Sequence, residues 1–363
     1  MKKVYIYFLS ILSVFTISCD DVLDPVNYDE INPSIFPASE ADVDALVFAS
    51  YYPLRGSYGN GIHTTSENGI MFISDATTEI LQGPYGLQQE ATLHSWNPST
   101  TGVTRFYDVF YNQISNMTLN IDLIQNSSVP ENAKQRAIAE IRCARGLLAY
   151  ELFDFYGPLV IAPLDVLLNP LEEAPLARLS NEETVSFIEA DLLAAAADLP
   201  GPEDTDYGRF SNATAHMLLI RLYLHEKRWA DVETQADAIM NMNYFELEDD
   251  YVGLWDVEAP TDSKEVIWSI PADYAGTSEN QWQLMVLPNN FPGKSGYGTI
   301  QSSWYFYDSF EESDIRKTNL IAEYTGTDGI TYNRDNPGNR MQLGPLPLKI
   351  NQDLDRTTAL TTV

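Results

Sequence analysis

The chain is poor in the residues from which most active sites are built. Its 363 residues hold two cysteines and four histidines. Cys19 lies in the leader and Cys143 in a helical pattern, so no disulfide framework is expected. A lone thiol such as Cys143 reads as a small apolar core residue. His63, His94, His216 and His225 are scattered, and no His-Glu-x-x-His helix exists to hold a catalytic zinc. Gly-x-Ser-x-Gly is missing as well, which leaves a nucleophile-elbow hydrolase without support. Gly293-Lys294-Ser295 imitates the end of a phosphate-binding loop, but Pro288 stands where the first glycine belongs. Basic residues are scarce too: 21 Lys and Arg against 52 Asp and Glu, for a net charge of −31. Such a surface repels phosphate backbones and excludes nucleic acid as a partner. The clusters Glu203-Asp204-Asp206 and Glu248-Asp249-Asp250 lack the alternating ligands and central glycine of a calcium loop. Neither a catalytic residue, a metal site nor a cofactor is expected.

Long hydrophobic runs are also lacking. The longest, Val4 to Ser18, follows Lys2-Lys3 and falls short of the roughly 20 apolar residues that a membrane-spanning helix needs. It reads as a secretory signal, residues 1–18, with Ser18 before a cysteine at the cleavage point. Thr16 stands where such lipoprotein signals usually carry leucine. Cys19 is then the lipid-attachment residue, and several acyl chains at about 0.8 kcal/mol per buried methylene hold a protein to a membrane durably. Asp20 and Asp21 keep the tether solvated, and Pro25, Pro33 and Pro37 keep residues 20–37 from forming a regular helix.

Beyond the leader, helical periodicity dominates as far as about residue 240. A first helix is expected from Ser39, with Val43, Leu46 and Val47 on one face. Residues 56–96 are broken by glycines and read as loop. Val103 to Gln125 and Glu131 to Tyr156 carry long apolar stripes, and Gly157-Pro158 closes the second. Glu182 to Leu199 gives a third helix; Ser211 caps a fourth, and Trp229 opens a fifth. The last pair has about the length of one tetratricopeptide unit, with small Ala215 and Ala236 at the close approach. From Val266 the texture changes. Val266-Ile267-Trp268-Ser269-Ile270 reads as a short strand, and the stretch to Gly344 is rich in Gly, Pro, Asn, Ser and aromatic residues. Long irregular loops of this kind commonly bind something.

Taken in order, several stretches resemble the SusD/RagB-like outer-membrane lipoproteins of Bacteroidetes. They are Cys19-Asp20-Asp21-x-Leu23-Asp24; Trp96 to Tyr111 with Asn116; and Glu140-x5-Gly146-Leu147-Leu148-Ala149-Tyr150-x-Leu152 leading into Tyr156-Gly157-Pro158-Leu159-Val160. Ala215 to Ala236 with Tyr223-Leu224 and Trp229, and Lys264-Glu265-Val266-Ile267-Trp268, complete the pattern. The resemblance implies a mainly α fold: tetratricopeptide-like helical pairs in an α-α superhelix, a loop-rich ligand face and minor short β-strands. It divides the chain into a signal (1–18), a helical domain (19–262) and a partial C-terminal loop-rich ligand-binding region (263–363). It further implies display on the cell outer membrane, capture of a glycan without catalysis, and delivery to a SusC-like TonB-dependent transporter. Members of this family usually continue through a further helix rich in Ala and Glu, whereas this sequence stops in a polar stretch ending at Val363.

With 6 Trp, 21 Tyr and 15 Phe, the chain is well supplied with flat rings on which the C–H face of a pyranose can stack. Rings flanked by glycine or polar residues on loops are the expected platforms: Tyr58, Tyr85, Trp282, Tyr297 and Trp304, with Asn280 and Gln281 as hydrogen-bonding partners; Trp96 stands on or beside a regular segment and reads equally as a ligand-binding ring or as core. Trp229, Trp255 and Trp268 stand on or beside regular segments and are expected in the core. A peptide-capturing relative, an exported glycoside hydrolase and a structural helical-repeat adaptor remain as alternatives at this point.

Overall fold

The computed structural model describes residues 36–55, 61–64, 69–84, 86–100, 104, 106–169, 171, 175–251, 253–255, 263–270 and 281–348. Cys19, Tyr58, Tyr85 and Asn280 lie outside the described residues.

Helix α1 spans Glu40–Arg55. Its start is fixed by Ser39, whose Oγ accepts the Asp42 N–H at 3.2 Å while the Asp42 carboxylate accepts the Ser39 N–H at 2.9 Å. This reciprocal cap satisfies donors that the first turn leaves free. The glycine-rich stretch expected as loop contains two short helices, α2 (Ile70–Ala76) and α3 (Gly86–Thr92), separated by the two-residue strand β1 (Leu81–Gln82). The helix expected over 103–125 opens instead as a wide π turn, Phe106–Phe110, before α4 (Tyr111–Asn126). Helix α5 covers Glu131–Tyr156 and ends at Gly157, whose φ of 69° only glycine adopts without strain. After the short α6 (Leu164–Leu168) comes α7 (Asn181–Asp198), begun by a full capping box between Ser180 and Glu183. Ser211 likewise caps α8 (Asn212–His225), and α9 runs from Trp229 to Met240.

Helix α5 is the spine. It packs against α7, α1 and α4, while α8 packs between α7 and α9. Its inner face buries Ile141, Cys143, Ala144, Leu148 and Leu152, and small Gly146 lets α7 approach. A Cβ on Gly146 would lie 2.7 Å from Leu192 Cδ2, so no side chain fits there without displacing that leucine. Two buried carboxylates are held by arginines. The Arg145 guanidinium makes a bidentate contact with Asp191 at 2.7 Å, and Arg209 does the same with Glu140 at 2.9 and 2.7 Å. Glu140 also accepts the Tyr51 hydroxyl at 2.9 Å, and that hydroxyl in turn accepts the Phe210 N–H at 2.8 Å.

The remainder forms α10 (Trp282–Val286), β2 (Gln301–Ser302), α11 (Trp304–Asp308), β3 (Leu320–Ile321), β4 (Tyr324–Thr325), β5 (Thr331–Tyr332) and β6 (Leu346–Pro347). The strands pair antiparallel as β1 with β2, β3 with β6 and β4 with β5. A second hydrophobic cluster joins Phe72, Ala76, Leu81 and Ala91 to Trp282, Met285, Ile300, Tyr324, Met341 and Leu346. The loop-rich part therefore has a core of its own, shared with α2, β1 and α3.

Two further expectations fail. Val266–Ile270 is not a strand: among the described residues it pairs with no neighbour, and Trp268 instead packs against Phe210, with ring centroids 4.8 Å apart. Trp229 is not core but 63% exposed, because it opens the outermost described helix of the stack and nothing described covers it. Trp255 lines a cleft, and Trp268 is half-buried with its indole N–H donating to the Gly208 carbonyl at 3.2 Å. No described helix is long and apolar enough to cross a membrane.

Candidate functional site

The short β1–β2 pair organises the loop face. Its register, Leu81 opposite Ser302 and Gln82 opposite Gln301, ties the segment between α2 and α3 to the one between Tyr297 and α11. Tyr297 itself is 60% exposed. Its presentation follows from its neighbours. A Cβ at Gly296 would sit 2.3 Å from the Leu287 carbonyl oxygen, and Gly298 has φ 63°. Two glycines thus let the backbone hug Leu284, whose carbonyl accepts the Tyr297 N–H at 2.7 Å, while the ring projects outward.

On the other side of β1, helix α3 leads to Trp96. Thr92 Oγ1 accepts the Gly83 N–H at 3.2 Å, tying α3 back to β1. His94 Nε2 lies 2.8 Å from the Thr77 carbonyl oxygen, and the imidazole meets the Trp96 indole edge-on, with centroids 5.4 Å apart. Trp96 is 44% exposed and stands at the mouth of a cleft of about 500 Å³. Asn97, Pro98, Thr104, Tyr107, Asp108 and Tyr156 complete the cleft. The bend after Trp96 is held locally: Asn97 Oδ1 accepts the Ser99 N–H at 2.9 Å, and Thr100 Oγ1 accepts the Asn97 N–H at 3.0 Å. The π turn supplies Tyr107 and Asp108 to the cleft while Phe106 and Phe110 enter the core. Wide turns of this kind recur at functional sites. Tyr107 packs on Tyr111 at 4.4 Å and meets Tyr156 edge-on at 5.6 Å. Burial pushes the Tyr156 hydroxyl up to about 12, so it stays a neutral donor throughout the physiological range.

The expected site residues are not gathered into one cleft. Trp282 is buried in the second core, its N–H donating to the Pro347 carbonyl at 2.7 Å, so it is not the open ring expected. It reaches only the floor of a second cleft of about 500 Å³, with Tyr251, Trp255, Phe306, Phe310 and Arg316. Gln281 is half-buried at the start of α10. Trp304 is half-buried beneath the Arg334 guanidinium, which lies 5.1 Å from the ring centre and is held by a bidentate pair with Asp308 at 2.9 Å. Trp96 and Tyr297 are therefore the described open rings of the expected set. Tyr107 and Tyr156 were missed because both lie on apolar stripes that look like core. No group of three or more His, Cys, Asp or Glu that could hold a metal exists among the described residues.

A SusD-like protein of Bacteroides ovatus is 25% identical over 209 residues, which is 55% of this chain and 37% of that protein; the chain thus spans well under half of the curated relative it matches. Surface glycan-binding protein A from Bacteroides fluxus superposes with a TM-score of 0.67 at 22% identity, covering 87% of this chain and 70% of that one. A SusD superfamily protein from Parabacteroides distasonis gives 0.71 at 17% identity, covering 88% and 71%. Surface glycan-binding protein A from Bacteroides thetaiotaomicron, solved in complex with laminarihexaose, gives 0.68 at 15% identity, covering 87% and 71%. These likenesses establish the mainly helical SusD-like fold. With a family model described as starch-binding and associating with the outer membrane matched over residues 29–224, more than half its length, the chain belongs to the SusD-like family.

Proposed function

We propose that this chain is a surface lipoprotein, acylated at Cys19, that captures a glycan on its loop face and hands it to a SusC-like TonB-dependent transporter. The observation that carries the reading is the pair of open rings, Trp96 and Tyr297, presented from segments that the β1–β2 pair anchors. A pyranose covering about 50 Å² of a ring gains about 1 kcal/mol at ~25 cal/mol per Å². Two or three rings with a few hydrogen bonds from Asn97, Asp108 or Tyr156 then give micromolar to millimolar affinity, about −4 to −8 kcal/mol. Binding of that strength releases quickly, as handover requires. The glycan-bound structural neighbour from Bacteroides thetaiotaomicron supports the ligand class.

The test is native affinity electrophoresis of residues 20–363 through gels containing laminarin, amylopectin, xyloglucan or polygalacturonate, with reducing ends assayed in parallel. Retardation by one polymer without new reducing ends is expected, and Trp96→Ala and Tyr297→Ala should each reduce it. New reducing ends would make the protein an enzyme. Absence of retardation from folded protein would defeat the glycan reading.

A further inference from the structure

We propose that the helical body carries a second saccharide-binding cleft, built on α1 and the segment before α8 and separate from the loop face. Its ligand class rests on the glycan-capture reading above. The cleft measures about 340 Å³, at the small end for ligand pockets and room for roughly one or two sugar rings. Phe48, Tyr52, Tyr207, Arg209 and Trp268 line it. Three large aromatic side chains stand open around it: Phe48 is 56%, Tyr52 59% and Tyr207 51% exposed. Phe48 and Tyr52 are one helical turn apart on α1, so their rings share a face. Among the described residues neither the Tyr52 nor the Tyr207 hydroxyl has a hydrogen-bond partner, so both can bond a ligand.

The back wall is rigid. Tyr51 stacks on Phe210 at 4.6 Å and 22°, and Phe210 packs on Trp268 at 4.8 Å. Arg209 is fixed by its bidentate bond to buried Glu140, reaches Asp44 at 3.4 Å, and lies 5.2 Å from the centre of the Phe48 ring. These contacts use Nε and Nη2, and leave the two N–H groups of Nη1 without a partner among the described residues. A held donor costs little ordering entropy when a ligand arrives. Because Glu140 and Asp44 already balance the guanidinium charge, the cleft offers hydrogen bonds without net positive charge. That combination of open rings, free hydroxyls and a neutralised donor suits an uncharged sugar rather than a uronate or sulfated one. A polymer able to engage both faces gains avidity without any new contact.

The experiment uses the polysaccharide that retards the wild type, in four proteins: wild type, Trp96→Ala/Tyr297→Ala, Phe48→Ala/Tyr52→Ala, and all four substitutions. Circular dichroism and sedimentation velocity are run on each, with Tyr207→Ala as a second probe of the cleft. The expected result is residual retardation in the loop-face variant that disappears in the fourfold variant, and about tenfold weaker binding for Phe48→Ala/Tyr52→Ala alone. Unchanged binding in that variant and in Tyr207→Ala would overturn the second cleft while leaving glycan capture intact. So would complete loss of binding in the loop-face variant. A wild-type dimer that Phe48→Ala/Tyr52→Ala dissociates would overturn it too, by making the cleft an interface between copies. Failure of the wild type to bind any polymer would defeat the capture reading itself.

Discussion

Replacing Glu151 with glutamine should uncover a pH dependence that the native protein hides. Glu151 is buried on α5, with His63 Nε2 3.9 Å and Arg221 Nη1 3.8 Å from its Oε1. Burial raises its carboxyl to about 7, with Arg221 opposing and Asp154 adding to the rise. His63 keeps 22% of its side-chain surface, but its Nε2 is enclosed without a hydrogen-bond partner. Burial, and after it the Arg221 charge, lower that imidazole to about 4. The two shifts act in opposite directions. Between the ordinary carboxyl range near 4.5 and about 7 the native state holds a proton on Glu151 that the unfolded chain releases, so stability falls as pH rises. Between about 4 and 6.5 the unfolded chain holds a proton on His63 that the native state refuses, so stability rises with pH. Each term is worth about 3 kcal/mol at 1.36 kcal/mol per pKa unit, and over most of the window they cancel. The stability of Glu151→Gln minus that of wild type should therefore climb by about 3 kcal/mol between pH 4.5 and 7.5, and His63→Gln should show the opposite trend between pH 4 and 6.5. Urea unfolding followed by circular dichroism at half-unit pH steps measures both. A difference that stays flat, or falls as pH rises for Glu151→Gln, would refute the argument.

Three further outcomes follow from the packing and the leader. Glu140→Ala removes the fully buried carboxylate that holds Arg209 and the Tyr51 hydroxyl, and should cost about 3–5 kcal/mol in urea unfolding; a loss under 1 kcal/mol would mean that water replaces the lost partner. Gly146→Ala gains about 1 kcal/mol of helix propensity but forces fully buried Leu192 aside. Overpacking of about 1–3 kcal/mol should win, lowering the melting temperature, whereas a stabilised variant would contradict the close α5–α7 approach. Cys19→Ala should move the protein from the membrane fraction to the soluble fraction, and retention in membranes would sink the proposed anchor.

Where the sequence carried its own boundary signals, the fold was legible. Glu131 to Tyr156 is α5 to the residue, because a 3.6-residue stripe ends in Gly157-Pro158. Ser211 was read as a cap, and the structure adds a matching one at Ser180. What failed depends on partners that periodicity does not reveal. The apolar run at Val266–Ile270 looks like a strand, but pairing needs a second edge and none lies beside it among the described residues. Trp229 fits a core pattern until its place on the outermost described helix is known. Trp282 looked like a loop ring because polar residues flank it, yet the β3–β6 pair brings the Pro347 carbonyl to its N–H. The candidate site was half legible. Tyr297 could be picked by its flanking glycines, Trp96 was ambiguous between site and core, and Tyr107 and Tyr156 acquire their role only from the π turn and the end of α5.

Protection of individual tryptophans from oxidation by N-bromosuccinimide, read by peptide mass spectrometry, tests the central claim most directly. Trp96 and Trp229 are both open, at 44% and 63% exposure, so each reports on its own surroundings in the same sample. Oligosaccharide fragments of the polymer that retards the protein, added at saturation, should slow oxidation of Trp96 severalfold and leave Trp229 unchanged. Equal rates at Trp96 with and without the oligosaccharide, in protein that binds the polymer, would place the glycan elsewhere and contradict the account.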